Sequence, residues 1–303
     1  DKEFPLDPQQ AALIDSDIPA LTEQFDAVHR NTFDIADRLG FFDGSQSLAV
    51  DLYHVEWNGK DNDVTINRPT KAANEVESQW TYAVLGIVDT DARFTLGVRW
   101  LPGKTEYPDA IGHLAAIPND FLNVETLFAD SGMVSGSLLD EFREIAGSEY
   151  IVRAPDHRFV KKLRWLTPND HIGYVPKVSW NTTPGPNLVA YPYNGGSNPP
   201  LIEFTLGQLQ QVEKIDPENQ HMFSNFSEPN AGTDPIDSFP DEVVDKMADL
   251  ESTTEIPSTK SHAMYFTGRT LPDRSPHEIH SSYYQRWALE DSINHIKHQT
   301  MPV

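Results

Sequence analysis

Four side chains near the C-terminal end of the sequence have types and spacing that could do chemistry together. The stretch Ser281 to Thr300, SSYYQRWALEDSINHIKHQT, has no Pro and no Gly and reads as one helix. Within it Tyr283, Arg286, Glu290 and Lys297 lie at offsets of three, seven and fourteen residues. At about 100° per residue those offsets fall near −60°, −20° and −40°, so the four side chains share one narrow face. Leu289, Ile293 and Ile296 form an adjacent stripe, roughly −80° to −140° around the axis, that can pack on a core. A carboxylate between cations and an aromatic, beside a buried stripe, suits a polyanion and a metal. A solvated helix with ordinary charges is the plainer alternative.

The same spacing is the signature Y-x2-R-x3-E-x6-K, matched in full by Tyr283, Arg286, Glu290 and Lys297. It resembles the catalytic helix of the DDE transposases of bacterial and archaeal insertion sequences, in the subgroup named for that signature. Trp287, directly after the Arg, also looks like that family. The resemblance implies two further carboxylates upstream, each on a strand, that hold metal with Glu290.

Ser47 to Trp57, SLAVDLYHVEW, carries a nearly continuous apolar run, as in a central strand covered on both faces. Asp51 sits inside it. A carboxylate there is costly unless it is paired or holds a metal; an Asp at a strand end, bonded to a loop, would be the unremarkable reading. Thr81–Asp89 and Arg93–Leu101 read as a hairpin. A short helix over Ala110–Ile117 follows. Glu125–Met133, ETLFADSGM, is a short apolar strand ending at Asp130; on its own this Asp could equally be a turn or cap. Ser135–Ala146 reads as a helix and Tyr150–Ala154 as the next strand.

That order is the ribonuclease H-like pattern, an α/β fold with a five-stranded mixed sheet and helices on both faces. In it the first and fourth strands are parallel neighbours, so Asp51 and Asp130 would meet at adjacent strand ends, with Glu290 brought in by the helix. Three carboxylates at one point demand cations. Two Mg2+ (or Mn2+) about 3.5–4 Å apart would answer that demand and clamp the attacking and leaving oxygens of a phosphodiester. The family resemblance implies the same triad, and LFADSGM looks like its second-Asp motif.

The elements that position these residues divide the chain into a helical lead-in over 1–45, a catalytic part over 46–155 and 260–303, and an insertion over 156–259. In the lead-in, Leu21, Phe25, Val28, Phe33, Ile35 and Leu39 recur at helical spacing. The insertion occupies the place where members of the subgroup carry a β-rich one. Its first part holds the basic cluster Arg158, Lys161, Lys162 and Arg164, with Arg153 and His157 beside it and Trp165 and Trp180 interleaved or close by. Basic side chains track phosphates and aromatics stack on unpaired bases, although a patch that pairs with this acidic surface would look the same. Its second part, from Asp216 to Glu255, has eleven acidic residues against one Lys and reads as an exposed, flexible loop with a short helix near Glu242–Leu250. His277, His280, His295 and His298 read as solvated.

The composition bears on partners. Asp and Glu number 46 against 23 Lys and Arg, a net charge of −23 over 303 residues, with 11 Lys. A DNA-binding protein is expected to carry a basic footprint. Either the chain does not bind nucleic acid, or, as the motif favours, it is a cytoplasmic, nucleoid-associated protein of a halophile, where molar salt screens charges over about 3 Å. The absence of Cys excludes a disulfide framework and a Cys-ligated zinc. No run of eighteen apolar residues is present, so no membrane span is expected. There is no P-loop, G-x-G-x-x-G, G-x-S-x-G or H-E-x-x-H. The resemblance implies that the partners are transposon terminal inverted repeats and target DNA, bound by a homodimer that cleaves and transfers strands. The alternatives are another ribonuclease H-like nuclease, or a catalytically inactive transposon-derived DNA-binding or scaffold protein.

Overall fold

The computed structural model describes residues 18–42, 44–57, 66–67, 78–89, 94–101, 107–116, 121–147, 149–178, 185–194, 196, 198–211, 243, 261–269, 275–291 and 293. Lys297, Trp180, His295, His298, residues 1–17 and nearly all of the acidic segment lie outside them.

The strands are β1 (Ser45–Trp57), β2 (Ile66–Asn67), β3 (Ser78–Ile87), β4 (Phe94–Trp100), β5 (Asn123–Ala129), β6 (Tyr150–Arg153), β7 (Ile172–Val175), β8 (Asn187–Pro192), β9 (Leu201–Glu203) and β10 (His262–Thr267). The helices are α1 (Ile18–Arg38), α2 (Tyr107–Ala116), α3 (Gly136–Ala146), α4 (Arg158–Leu166), α5 (Leu206–Gln211) and α6 (Pro276–Tyr283).

The ten strands form one mixed sheet in the order β2-β3-β1-β5-β6-β10-β8-β7-β9, with β4 also pairing β3. A five-stranded sheet was the expectation, and it is half of what is present. β4, β3 and β1 are antiparallel neighbours, and β1, β5 and β6 run parallel. β10 then pairs antiparallel with β6 on one side and β8 on the other. The free edge of β6 is thereby covered, and the insertion's strands extend the same sheet. They are short runs such as IGYV and NLVAYP whose residues are all buried. Too brief to show periodicity, they reveal their place only through pairing.

Both faces of the sheet are covered. Leu48, Val50, Leu127, Ala129 and Val152 face one core with Leu114 of α2, Leu139 and Phe142 of α3, and Phe159 and Leu163 of α4. Ala49, Val84, Phe128, Ile151, Val189 and Tyr265 face the other, with Ile279 and Tyr283 of α6 and Leu289 beyond it. This is the β alternation of period two read across a strand covered on both sides.

Two local expectations need correction. α1 is a helix as expected, but its buried stripe is carried by Phe33 and Ala36, while Val28, Ile35 and Leu39 are exposed. Phe33 packs against Phe42 and Phe94, and Asp26 reaches His113 of α2. Phe33 was one of the expected residues, and its contact with Phe42 and with Phe94 of β4 sets the face that turns inward. The stretch after β1 also contributes β2 to the edge of β3. Val243, inside the acidic segment, is helical and fully buried in the larger core, so at that point the segment docks.

Among the described residues no helix is long and apolar enough to cross a membrane.

Candidate active site

The C-terminal helix begins at Pro276, five residues earlier than its apparent start. Ser275 caps it: its hydroxyl accepts from the Glu278 N–H, and the Glu278 carboxylate accepts from the Ser275 N–H. With Pro at the first position this is a capping box, worth about 0.5–2 kcal/mol at the cap residue. α6 tightens into a 3-10 turn at Tyr284–Arg286 and is α-helical again from Trp287 to Asp291. At about three residues per turn, positions three apart stand in line, and Arg286 lies over the Tyr283 ring, 5.4 Å from its centre.

Tyr283 is buried. Its hydroxyl donates to the Ala129 carbonyl at 3.3 Å, and its ring lies edge-on to Phe128. The helix is therefore pinned to β5 directly before Asp130. Gly86 of β3 makes room for the next turn, because a Cβ there would lie 2.8 Å from Leu289 Cδ1 and 3.1 Å from the Phe94 carbonyl oxygen. Gly86→Val is expected to destabilise the fold by about 1–3 kcal/mol through overpacking, and to reduce cleavage by moving Leu289 and the adjacent Glu290. Urea denaturation and a cleavage assay check the two effects; a stable, active variant would remove Gly86 from the support of the site.

Three strand positions line up next to this helix: the middle of β1, the residue directly after β5 and the end of β6. Val50 of β1 is in register with Ala129 of β5, and Ala129 with Val152 of β6. The residues that follow, Asp51, Asp130 and Arg153, therefore make a row across parallel strands. All three alternate onto the face that carries Ala49, Phe128 and Ile151. Asp51, Asp130 and Glu290 each lie within ion-pair reach of one side chain, Arg286. Arg286 Nη1 donates to Asp51 Oδ2 at 2.9 Å; Nη2 donates to Glu290 Oε1 and lies 3.9 Å from Asp130 Oδ1. The Arg286 side chain is 6% exposed, against 16% for Asp51, 40% for Asp130 and 41% for Glu290. Arg286 and Tyr283 were expected to meet DNA phosphates. Both are instead turned inward, since the carboxylates and the Ala129 carbonyl lie within their reach.

Burial pushes the Asp51 carboxyl above its ordinary range. Arg286 and the Leu52 N–H pull it back down, while Glu290 and Asp130 raise it further. Burial also works against charge on Arg153, but Tyr193, Tyr283, Tyr265 and Asp130 outweigh it and hold the guanidinium charged. Arg153, read in the sequence only as a neighbour of the basic cluster, is the third member of the row. Its signal was available: LFAD and YIVR each close an apolar strand on a charged residue.

An aromatic band leads away from Arg286. Tyr191 and Tyr265 pair through their hydroxyls with Nδ1 of His277 and His280, each at 2.8 Å. The His280 ring stacks on Tyr191 at 4.4 Å. These two His were read as solvated; they lie within α6, and burial, His277 and Arg153 hold His280 below its usual pKa. The band continues through Tyr284 to Trp287, whose rings are 5.7 Å apart and which are 45% and 56% exposed.

The basic cluster is not brought to this site. α4 packs against the opposite core. Lys162 is buried and donates to the Leu209 carbonyl at 3.0 Å, Arg164 pairs with Asp156 at 2.8 Å, and Trp165 packs on the core. Lys161 is exposed, and Arg158 opens the helix. The amphipathic period of α4 turns its middle inward, and the long Lys162 stem reaches a carbonyl.

The donor set suits a hard divalent cation: carboxylate oxygens from two strands and a helix. Three carboxylates against one guanidinium leave two negative charges. As arranged around Arg286, no three acidic or His side chains among the described residues are grouped to hold a metal. No protein-family model matches the chain, and no curated protein or solved structure matches it significantly.

Proposed function

We propose that this chain carries the catalytic domain of a DDE transposase, with a ribonuclease H-like core formed by β4, β3, β1, β5 and β6. The observation that carries the reading is the convergence of Asp51, Asp130 and Glu290 on one guanidinium, from two parallel neighbouring strands and a helix with the Y-x2-R-x3-E-x6-K spacing. The strand order and directions of that half of the sheet are those such a core requires.

In this reading Asp51, Asp130 and Glu290 hold divalent metal. Two Mg2+ or Mn2+ ions bound there supply positive charge to the attacking and leaving oxygens of an in-line phosphodiester displacement. Arg153, charged and beside Asp130, binds the phosphate next to the scissile one. Tyr283 fixes the helix to β5 so that Glu290 stays in reach of both strands. Trp287 and Tyr284 offer exposed rings to an unpaired base near the cut. Sequence-specific, Mg2+-dependent nicking of inverted repeats flanking the coding region tests the reading. Cleavage without regard to end sequence would point to a general nuclease, and absence of any metal-dependent cleavage would point to a scaffold.

The charge makes a further prediction. Counterion release makes ordinary DNA binding weaken steeply with salt. A chain of net charge −23 repels both itself and DNA at low salt. End binding is therefore expected to show a shallow or inverted salt dependence above about 1 M KCl, where the screening length is about 3 Å. Trp287→Ala should weaken binding more than Lys161→Ala, because each stacked base is worth about 1–3 kcal/mol. Titration of labelled end DNA across KCl concentrations reads both. A steep conventional loss with Trp287→Ala silent would overturn the halophilic reading of the charge and the stacking role together.

A further inference from the structure

Arg286 is a cation built into the middle of the acidic cluster. Its side chain is 6% exposed, and one guanidinium serves three carboxylates. Its Nε is buried and has no hydrogen-bond partner among the described residues, so the geometry favours the carboxylates over full satisfaction of the arginine. A buried guanidinium is costly without paired acids, and three converging acids are costly without a cation. Each side of this cluster therefore answers the demand of the other. A divalent ion shared by Asp51, Asp130 and Glu290 would need the space and the oxygen lone pairs that Arg286 uses. The two cations repel at such range, so they exclude each other.

We infer that Arg286 is the site's own counter-ion, holding the three carboxylates in place before metal arrives and leaving them when metal binds. This rests on the metal-dependent reading given above and adds a regulatory step to it. The way out is open, because Asp130 and Glu290 are each about two-fifths exposed while Tyr283 holds the base of the helix turn. Arg286 then sets the metal concentration at which the site loads, and keeps the carboxylates assembled below it.

The test is Mn2+ binding and thermal unfolding of the whole chain at one fixed high KCl concentration, for wild type, Arg286→Met, Arg286→Lys and Asp51→Asn. Arg286→Met is expected to bind Mn2+ about 10–100-fold more tightly, the range seen when residues beside metal ligands change. Its metal-free melting temperature should fall, and Mn2+ should raise it by more than in wild type. A variant that folds only with Mn2+ meets the same expectation. Arg286→Lys, with a single point charge, should lie between the two; if Arg286→Met does not fold at all, the affinity of Arg286→Lys decides, tighter in favour and equal or weaker against. Equal or weaker Mn2+ binding by Arg286→Met, with wild-type binding that Asp51→Asn removes, would overturn the counter-ion role and leave the metal reading standing. No Mn2+ binding by wild type or by any variant would overturn both.

Discussion

Alanine at Asp51, Asp130 or Glu290 is expected to lower Mg2+-dependent strand cleavage by about a thousandfold or more, because metal-supplied charge stabilisation is worth several kcal/mol and each 1.36 kcal/mol is tenfold in rate. Binding of end DNA should change little, since these side chains face a guanidinium and not a phosphate. The three positions differ in their cost to the fold. Asp51 is the most buried of them and the partner of Arg286 Nη1 at 2.9 Å. Removing one member of a buried pair costs about 3–5 kcal/mol, so Asp51→Asn is the cleaner variant there: it drops the charge and keeps an oxygen for the Arg. Asp130 and Glu290, two-fifths exposed, tolerate Ala better. Cleavage of labelled inverted-repeat DNA, with circular dichroism to confirm folding, checks all three. A residue whose variant cut at the wild-type rate would leave the site.

Tyr283→Ala is expected to destabilise the protein by about 3–5 kcal/mol, the usual cost of truncating a buried aromatic. The ring is 2% exposed and fills the space between Phe128, Tyr265 and the Arg286 guanidinium. Tyr283→Phe keeps the ring and loses the bond to the Ala129 carbonyl, so it should cost only about 0.5–1.5 kcal/mol. Urea denaturation of both variants reads the difference. The pair also separates two roles for the tyrosine of the signature. A DNA contact predicts that loss of the hydroxyl harms end binding and spares stability; a structural strut predicts that loss of the ring harms stability and loss of the hydroxyl harms little. A stable Tyr283→Ala variant with poor end binding would return the residue to the DNA surface.

Much of the site was legible before any coordinates, and the reason is local. Asp130 stands where an apolar strand ends and Asp51 interrupts a longer apolar strand at its middle, and parallel register converts those one-dimensional cues into adjacency. Glu290 and Arg286 were legible from spacing alone. The direction in which Arg286 points was not, because a guanidinium beside a carboxylate four residues away can serve it or face outward, and the choice depends on strands more than 150 residues earlier in the chain. The same limit applies to Lys162. Its neighbours made a basic cluster in sequence, but the turn of α4 and the Leu209 carbonyl decided its place. The width of the sheet was hidden for another reason: three- and four-residue strands such as β9 and β7 have no pattern long enough to read.

The position of β10 governs the order in which the molecule can be made. β10 lies between β6 and β8, yet more than a hundred residues separate it in sequence from β6. A growing chain can assemble β4, β3, β1, β5 and β6 from about its first half alone, and pair β7 with β8 shortly after. The two blocks cannot join until residues 262–267 exist, and that late closure of a distant contact is the slow kind of step. Until then the apolar edge of β6 is open, a site where nascent chains can stick to one another. Glu290 and Arg286 arrive later still, so a truncated or half-translated chain holds Asp51 and Asp130 without the guanidinium and third carboxylate that meet them in the finished fold.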